Sequence, residues 1–129
     1  MNEATRPKVL IVEDEDSIRE TMRFALEQSR YECLLARDGA EALAVARAAV
    51  PDLILLDIML PKLNGYQVCR LLKRDSRFSA IPIVMVTART QERDYAQGKE
   101  SGADDYITKP FELPDILQVV ERHLARRRP

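Results

Sequence analysis

The 129-residue sequence predicts an α/β fold: a doubly wound, five-stranded parallel sheet with helices on both faces. Three observations carry this prediction. Short apolar runs (Val9–Val12, Leu53–Leu56, Ile83–Val86) alternate with longer stretches whose apolar residues recur every three or four positions, the signature of repeated βα units. The runs are apolar at every position rather than at every second one. Each strand is therefore expected to be buried on both sides, which a parallel sheet with helical cover provides. Turn residues fall between the two kinds of segment.

In chain order, the first strand is expected at Lys8–Glu13, followed by a helix with Ile18, Met22 and Leu26 on one face. The second strand covers Tyr31–Ala36. Asp38-Gly39 opens the second helix, and Pro51 separates it from the third strand, Asp52–Asp57. Val68, Leu71 and Leu72 mark the third helix, and Ile81–Thr87 the fourth strand. The helix expected over Gln91–Glu100 has only Tyr95 and Ala96 as apolar contacts, and its Gly98 costs about 1 kcal/mol relative to Ala. It should be the least firmly docked helix, as a movable element requires. Gly102 can end it in a left-handed cap. The fifth strand, Asp104–Thr108, leads to a last helix with Leu113, Leu117, Val120 and Leu124 on its apolar face. The expectation is one domain over residues 8–127, a short extension over 1–7, and no output domain in this chain.

At 46% hydrophobic and 32% charged residues, the composition excludes a disordered chain. The 20 Lys and Arg against 21 Asp and Glu leave a formal charge of −1, which argues against direct nucleic-acid binding. The one dense basic run, Arg126–Arg128, reads as a helix C-terminus facing its dipole. No apolar run approaches the roughly 20 residues needed to span a bilayer, so no membrane partner is expected. The N-terminal residues lack the apolar core of a signal peptide. Cys33 and Cys69 form no CxxC pair, which speaks against a disulfide framework or a cysteine zinc site and for a cytoplasmic home.

In open parallel sheets, ligands bind beyond the carboxyl ends of the strands. The polar residues expected there are Glu13-Asp14 after the first strand, Asp57 at the end of the third, Thr87 at the end of the fourth, and Lys109-Pro110 after the fifth. The run Glu13–Asp16 alone reads as a helix N-terminus, and Asp57 alone as a capping or loop aspartate. Together, clustered carboxylates repel unless a cation sits among them, and hard oxygen ligands suit Mg²⁺. A carboxylate such as Asp57 can also be a nucleophile toward phosphorus, with a metal neutralising the transferred group. Lys109 supplies positive charge, and Thr87 a hydroxyl on the same edge.

The segments VLIVEDED, DLILLDIMLPKLNG, IPIVMVTAR and GADDYITKPF occur in that order between Lys8 and Leu124. In this combination the chain resembles the receiver domain of two-component response regulators, the CheY-like family, and GADDYITKPF is similar to the OmpR/PhoB-type branch. The resemblance implies the strand order 2-1-3-4-5. It implies that Asp57 accepts a phosphoryl group from a phosphohistidine of a sensor histidine kinase or histidine phosphotransfer protein. Asp14, Asp57 and the backbone carbonyl of Met59 would bind Mg²⁺, with Mn²⁺ able to substitute, and Glu13 would act through water. Lys109 would pair with the phosphoryl oxygens and precede a cis bond to Pro110. Thr87 would hydrogen-bond the phosphoryl group while Tyr106 turns inward. The face made by the fourth helix, fifth strand and last helix would then change for a downstream protein partner. The only catalysis implied is the domain's own phosphorylation and slow autodephosphorylation. Met59 and Arg89, two residues beyond Asp57 and Thr87, should flank the path of the hydrolytic water. Met59 cannot orient that water and Arg89 is long enough to cover its entrance, so a long-lived phosphorylated state is expected.

In the OmpR/PhoB-type branch the resemblance also brings a symmetric dimer face of charged pairs. Asp104 and Asp105 fit it, whereas Tyr95, Lys99 and Val119 stand where a basic, an apolar and a basic residue are expected. A phosphorylation-dependent homodimer and a stand-alone receiver both remain open at this level. Two other classes share parts of the pattern. A phosphohydrolase of the haloacid dehalogenase type would need a second acid two residues after the nucleophile, where Met59 stands. A flavodoxin-like electron carrier would need a hydroxyl- and glycine-rich phosphate loop after the first strand, where this chain has four acids. A degenerate receiver serving only as a binding module is disfavoured by the complete phosphorylation set. His123 has no ligand or triad partner in the sequence and reads as an ordinary last-helix residue.

Overall fold

Nine elements position the site in the computed structural model, which describes residues 6–87 and 100–125. They are β1 (Lys8–Val12), α1 (Asp16–Gln28), β2 (Glu32–Ala36), α2 (Gly39–Ala49), β3 (Leu53–Asp57), α3 (Gly65–Lys73), β4 (Ile83–Thr87), β5 (Asp105–Thr108) and α4 (Leu113–Ala125). All strand pairs are parallel, in the order β2-β1-β3-β4-β5. The predicted class, strand number and order are therefore found. The helix expected over Gln91–Glu100 lies outside the described residues except for Glu100, and Arg89, Tyr95, Lys99 and Arg126–Arg128 lie outside them as well.

The uniformly apolar strands are buried on both sides because their residues alternate between two cores. Leu10, Val12, Ile54, Leu56, Ile83 and Met85 face a core covered by Leu43 and Ala46 of α2 and by Val68, Cys69 and Leu72 of α3. Val9, Ile11, Leu53, Leu55, Val84 and Val86 face the opposite core, covered by Met22 and Leu26 of α1 and by Ile116, Val120 and Leu124 of α4. Among the described residues, two helices on each side of one sheet leave the carboxyl ends of the strands as the place where loops converge.

Local chemistry sets the starts of α2 and α3. Asp38 caps α2 by accepting from the backbone N–H of Glu41 at 2.8 Å. Asn64 and Gln67 form a reciprocal capping box at the start of α3. Gly102 adopts φ +92°, the left-handed geometry expected of it. The apolar face expected for α3 needs one correction, because Leu71 is 45% exposed. A helix advances about 100° per residue. With Val68, Cys69 and Leu72 against the sheet, Leu71 falls on the far side, and Cys69 takes the core position instead.

Candidate functional site

The order β2-β1-β3 reverses the direction of winding between β1 and β3, and the crevice beyond their carboxyl ends is the expected ligand position. β1 ends at Val12, so Glu13 and Asp14 lie in the turn before α1; β3 ends on Asp57 itself. One carboxylate oxygen from each of Glu13, Asp14 and Asp57 can be chosen such that all three lie within 4.8 Å of one another. Glu13 and Asp57 are buried, while Asp14 is exposed.

Lys109 reaches this cluster from the end of β5. Its Nζ donates to Glu13 Oε1 at 3.1 Å and to Asp57 Oδ2 at 3.4 Å. The other oxygens are held by the backbone: Met59 N–H donates to Asp57 Oδ1 at 3.2 Å, and Glu15 N–H to Glu13 Oε2 at 3.1 Å. The Lys109–Pro110 peptide is cis, as the resemblance implied. Thr87 ends β4 on the same edge, and its carbonyl accepts from Lys109 N–H at 2.6 Å. The structure thus brings together Glu13, Asp14, Asp57, Thr87 and Lys109. The side chain of Met59 is 73% exposed at the rim. Tyr106 is half-buried and packs against the core that α2 and α3 cover.

Electrostatics mark the cluster as short of positive charge. Burial raises the Asp57 pKa above the ordinary carboxylate value, and Lys109 and the Met59 N–H only partly oppose it. Burial also raises that of Glu13, and the neighbouring Asp57 charge adds to it. Burial disfavours the charged form of Lys109, but its Glu13 hydrogen bond and the two carboxylate charges outweigh that and raise its pKa. One ammonium is shared by two buried carboxylates with a third at hand. A hard divalent cation would relieve this imbalance, and the donor set of carboxylate oxygens suits Mg²⁺.

Two further residues shape the site: Arg19, which no motif in the sequence marks, and Gly65, the last residue of the segment DLILLDIMLPKLNG, to which the sequence alone assigns no role. Arg19 of α1 is 7% exposed and donates through Nη1 to the Glu13 backbone carbonyl at 2.8 Å. Gly65, the first residue of α3, lies directly against the strand that carries Asp57. A Cβ added there would stand 2.5 Å from the Asp57 carbonyl oxygen and 2.8 Å from the Ile58 Cα. These are backbone atoms, so the strand end itself must move. Gly65→Ala should cost about 1–3 kcal/mol, the range for overpacking, and should slow any reaction at Asp57. Chemical denaturation together with the rate of phosphoryl uptake would check this; unchanged values for both would show that the strand end yields freely.

On the flank of β5, both aspartates are engaged within the subunit. Asp104 accepts from Lys73 Nζ at 2.8 Å and from the Ile83 N–H at 2.8 Å. Asp105 pairs with Arg122 at 2.6 Å and lies 3.0 Å from His123 Nε2. His123 is buried, and its contact with Asp105 ties α4 to β5.

Fold and edge together define a class: a doubly wound α/β domain presenting carboxylates and one lysine at its topological switch point, the architecture of a signalling receiver. The family model for the response regulator receiver domain matches residues 9–121. The chain belongs to the response regulator receiver domain family. It is 46% identical over 121 residues to the DNA-binding dual master transcriptional regulator RpaA of Synechocystis sp., covering 94% of this chain and 50% of that protein. It is 45% identical over 119 residues to the alkaline phosphatase synthesis transcriptional regulatory protein PhoP of Bacillus subtilis, covering 92% and 49%. The chain thus spans about half the length of the curated relatives it matches. Among solved structures, it superposes on the chemotaxis protein CheY4 of Vibrio cholerae with a TM-score of 0.89 at 34% identity, covering 93% of this chain and 100% of that one. A putative response regulator from Chloroflexus aurantiacus gives 0.90 at 34%, covering 95% and 100%. The phosphohydrolase and electron-carrier alternatives find no support, and the domain is a signalling module rather than a conventional enzyme. No helix among the described residues is long and apolar enough to cross a membrane.

Proposed function

We propose that Asp57 is the phosphoacceptor of this receiver, taking the phosphoryl group from a phosphohistidine of a sensor histidine kinase or histidine phosphotransfer protein. The observation that carries the reading is the Asp57 carboxylate at the end of β3, 3.4 Å from Lys109 and grouped with Glu13 and Asp14. An Asp57 oxygen forms the new bond to phosphorus while the bond from phosphorus to the donor imidazole nitrogen breaks, its electron pair returning to the ring. Lys109 would follow the charge from the Asp57 carboxylate onto the phosphoryl oxygens, and Thr87 would donate to one of them. Asp14, Asp57 and the Met59 carbonyl would hold Mg²⁺, with Glu13 acting through water. The ion would neutralise the oxygens of the transferred group. The new charge and acceptors would draw Thr87 inward and reposition Tyr106, altering the β5–α4 flank that a downstream protein reads.

The relatives' names describe DNA-binding or transcriptional regulators about twice this length. For this chain we infer the phosphorylatable input and no direct nucleic-acid contact, in keeping with its formal charge of −1. We infer that it acts in the cytoplasm, a reading that its two free cysteines support. Incubation with Mg²⁺ and acetyl phosphate, followed by intact mass and peptide mapping, tests the assignment. One phosphoryl group on the Asp57 peptide is the expected result. No gain, or a gain mapped to another peptide, would overturn it.

The rim around Asp57 sets how long that group persists. Met59 presents a thioether where water must approach, and it can neither donate to nor accept strongly from that water. Met59→Asn supplies one neutral hydrogen bond, worth about 1 kcal/mol, and should speed loss of the phosphoryl group roughly fivefold. A time course of dephosphorylation after removal of the donor measures it; an equal or slower loss in the variant would show that Met59 does not limit access.

A further inference from the structure

We infer that Arg19 is a positioning residue for the metal site, acting by clamping the turn that presents Glu13 and Asp14. The inference rests on the Mg²⁺ reading of the carboxylate cluster. Arg19 lies one turn into α1, where a charged side chain is expected to reach solvent. It is instead 7% exposed, and its guanidinium points back along the helix toward the strand end. Nη1 donates to the Glu13 carbonyl at 2.8 Å, and Nη2 engages the exposed carboxylate of Asp16.

The Glu13 carbonyl belongs to the same rigid peptide plane as the Asp14 N–H. Holding that oxygen fixes the dihedrals on either side of the plane, ψ of Glu13 and φ of Asp14, and hence the directions in which the two acidic side chains leave the backbone. The rest of the turn is secured on both sides of this point. Glu13 N–H donates to the Ala36 carbonyl of β2 at 3.0 Å, and Arg19 N–H donates to the Glu15 carbonyl at 3.0 Å. What is missing is a cap: Glu15, at the N-cap of α1, makes no side-chain capping bond, in contrast to Asp38 and Asn64 on the next two helices. The Arg19 guanidinium takes over the task of orienting this helix entrance. Arginine suits it, since a planar fork can serve a carbonyl and a carboxylate at once. Asp16 balances its charge, so the clamp does not leave an unpaired buried cation.

Charge and position predict opposite signs, which makes the inference decidable. Arg19→Gln removes a cation close to a dication site, so electrostatics alone would tighten Mg²⁺ binding. Loss of the clamp should weaken it, by about tenfold on the scale seen for residues that orient metal ligands. Arg19→Lys keeps the charge but loses the fork, and should weaken binding by a smaller factor. Isothermal titration of the metal-free protein with Mg²⁺ gives the affinities, and thermal melts in chelator verify that each variant is folded. Phosphoryl uptake should return toward the wild-type rate as Mg²⁺ is raised to saturation, separating an affinity effect from a chemical one. Unchanged or tighter Mg²⁺ binding in a folded Arg19→Gln, or in Arg19→Lys if the former does not fold, would overturn the inference. Failure of the wild-type protein to bind Mg²⁺ would instead overturn the metal-site reading on which it rests.

Discussion

Asp57→Asn is expected to abolish phosphoryl uptake while making the metal-free protein more stable. The first effect is chemical, because an amide oxygen is not a nucleophile comparable to a carboxylate, and no gain in mass with acetyl phosphate should remain. The second follows from the raised pKa of Asp57, whose first cause is burial. Between the ordinary carboxylate value near pH 4 and the raised value in the fold, the native state binds the proton more tightly than the unfolded chain. Stability therefore falls as pH rises through that window, and above it the ionised Asp57 remains a net cost. Asparagine is neutral throughout. The variant's advantage should be small near pH 4, grow as pH rises through the folded pKa, and stay constant above it. Each 1 kcal/mol of that gain would raise Tm by roughly 3–6 °C in a domain of this size. Melts in chelator across pH 4 to 8 measure it, and a destabilised variant whose deficit grows with pH would show that Asp57 is well solvated or fully paired. The coupling of a dead site to a firmer fold is what a functional carboxylate cluster implies: its charges are held together for chemistry and against their own repulsion.

Much of this architecture is legible in the amino-acid sequence. The strands can be read because a strand buried on both faces has no alternation to obscure it, as in Leu53–Leu56. Glu13, Asp14, Asp57, Thr87 and Lys109 can be read because a parallel sheet brings all its carboxyl ends to one edge. Arg19, His123 and Gly65 are harder for different reasons. Arg19 shares the buried stripe of Met22 and Leu26, at spacings of three and seven residues. His123 shares that of Ile116 and Val120 in the same way. A polar residue on an apolar stripe signals a buried partner, but the partner's identity depends on which element packs opposite. For Arg19 it is the backbone carbonyl of a strand end, and for His123 a carboxylate on β5 eighteen residues away in the chain. Backbone acceptors leave no mark in a sequence. Gly65 stands in the segment DLILLDIMLPKLNG, but the contact that requires it is a close approach of two backbones, which only the fold displays.

These engagements also bear on how the domain transmits. Asp105 holds α4 through Arg122 and His123, and Tyr106, next in the chain, packs into the core beneath α2 and α3. Two successive β5 residues therefore address opposite faces of the sheet, as strand geometry demands. A displacement of β5 beginning at Lys109 would be felt by a core aromatic and by the last helix together.

Lys109→Met should produce the largest change in stability of any single substitution at the site. Lys109 is the cation shared by Glu13 and Asp57, whose side chains are only 2% and 5% exposed. Removing one partner of a buried ion pair strands the other charges, at a cost of about 3–5 kcal/mol. Two carboxylates are stranded here, and the loss should appear in full only where both are ionised. At pH 8 in chelator, the variant is expected to unfold about 3 kcal/mol more easily than wild type. Acidification toward pH 4 should erase the difference, because the neutral acids no longer need a counter-charge. Mg²⁺ should do the same at pH 8 by supplying it, with a stabilisation that grows as the logarithm of its concentration above Kd. Lys109→Met also removes a cation that would compete with the proposed metal for the same oxygens, so Mg²⁺ should bind the variant more tightly than wild type. That is opposite to the result expected for Arg19→Gln, although both variants lose one positive charge: Lys109 bonds the carboxylates themselves, whereas Arg19 bonds the Glu13 backbone carbonyl. Denaturation curves with and without Mg²⁺ at the two pH values test the argument. A deficit that is independent of pH and untouched by Mg²⁺ would mean that Lys109 does not support the fold as the counter-ion of the acidic cluster.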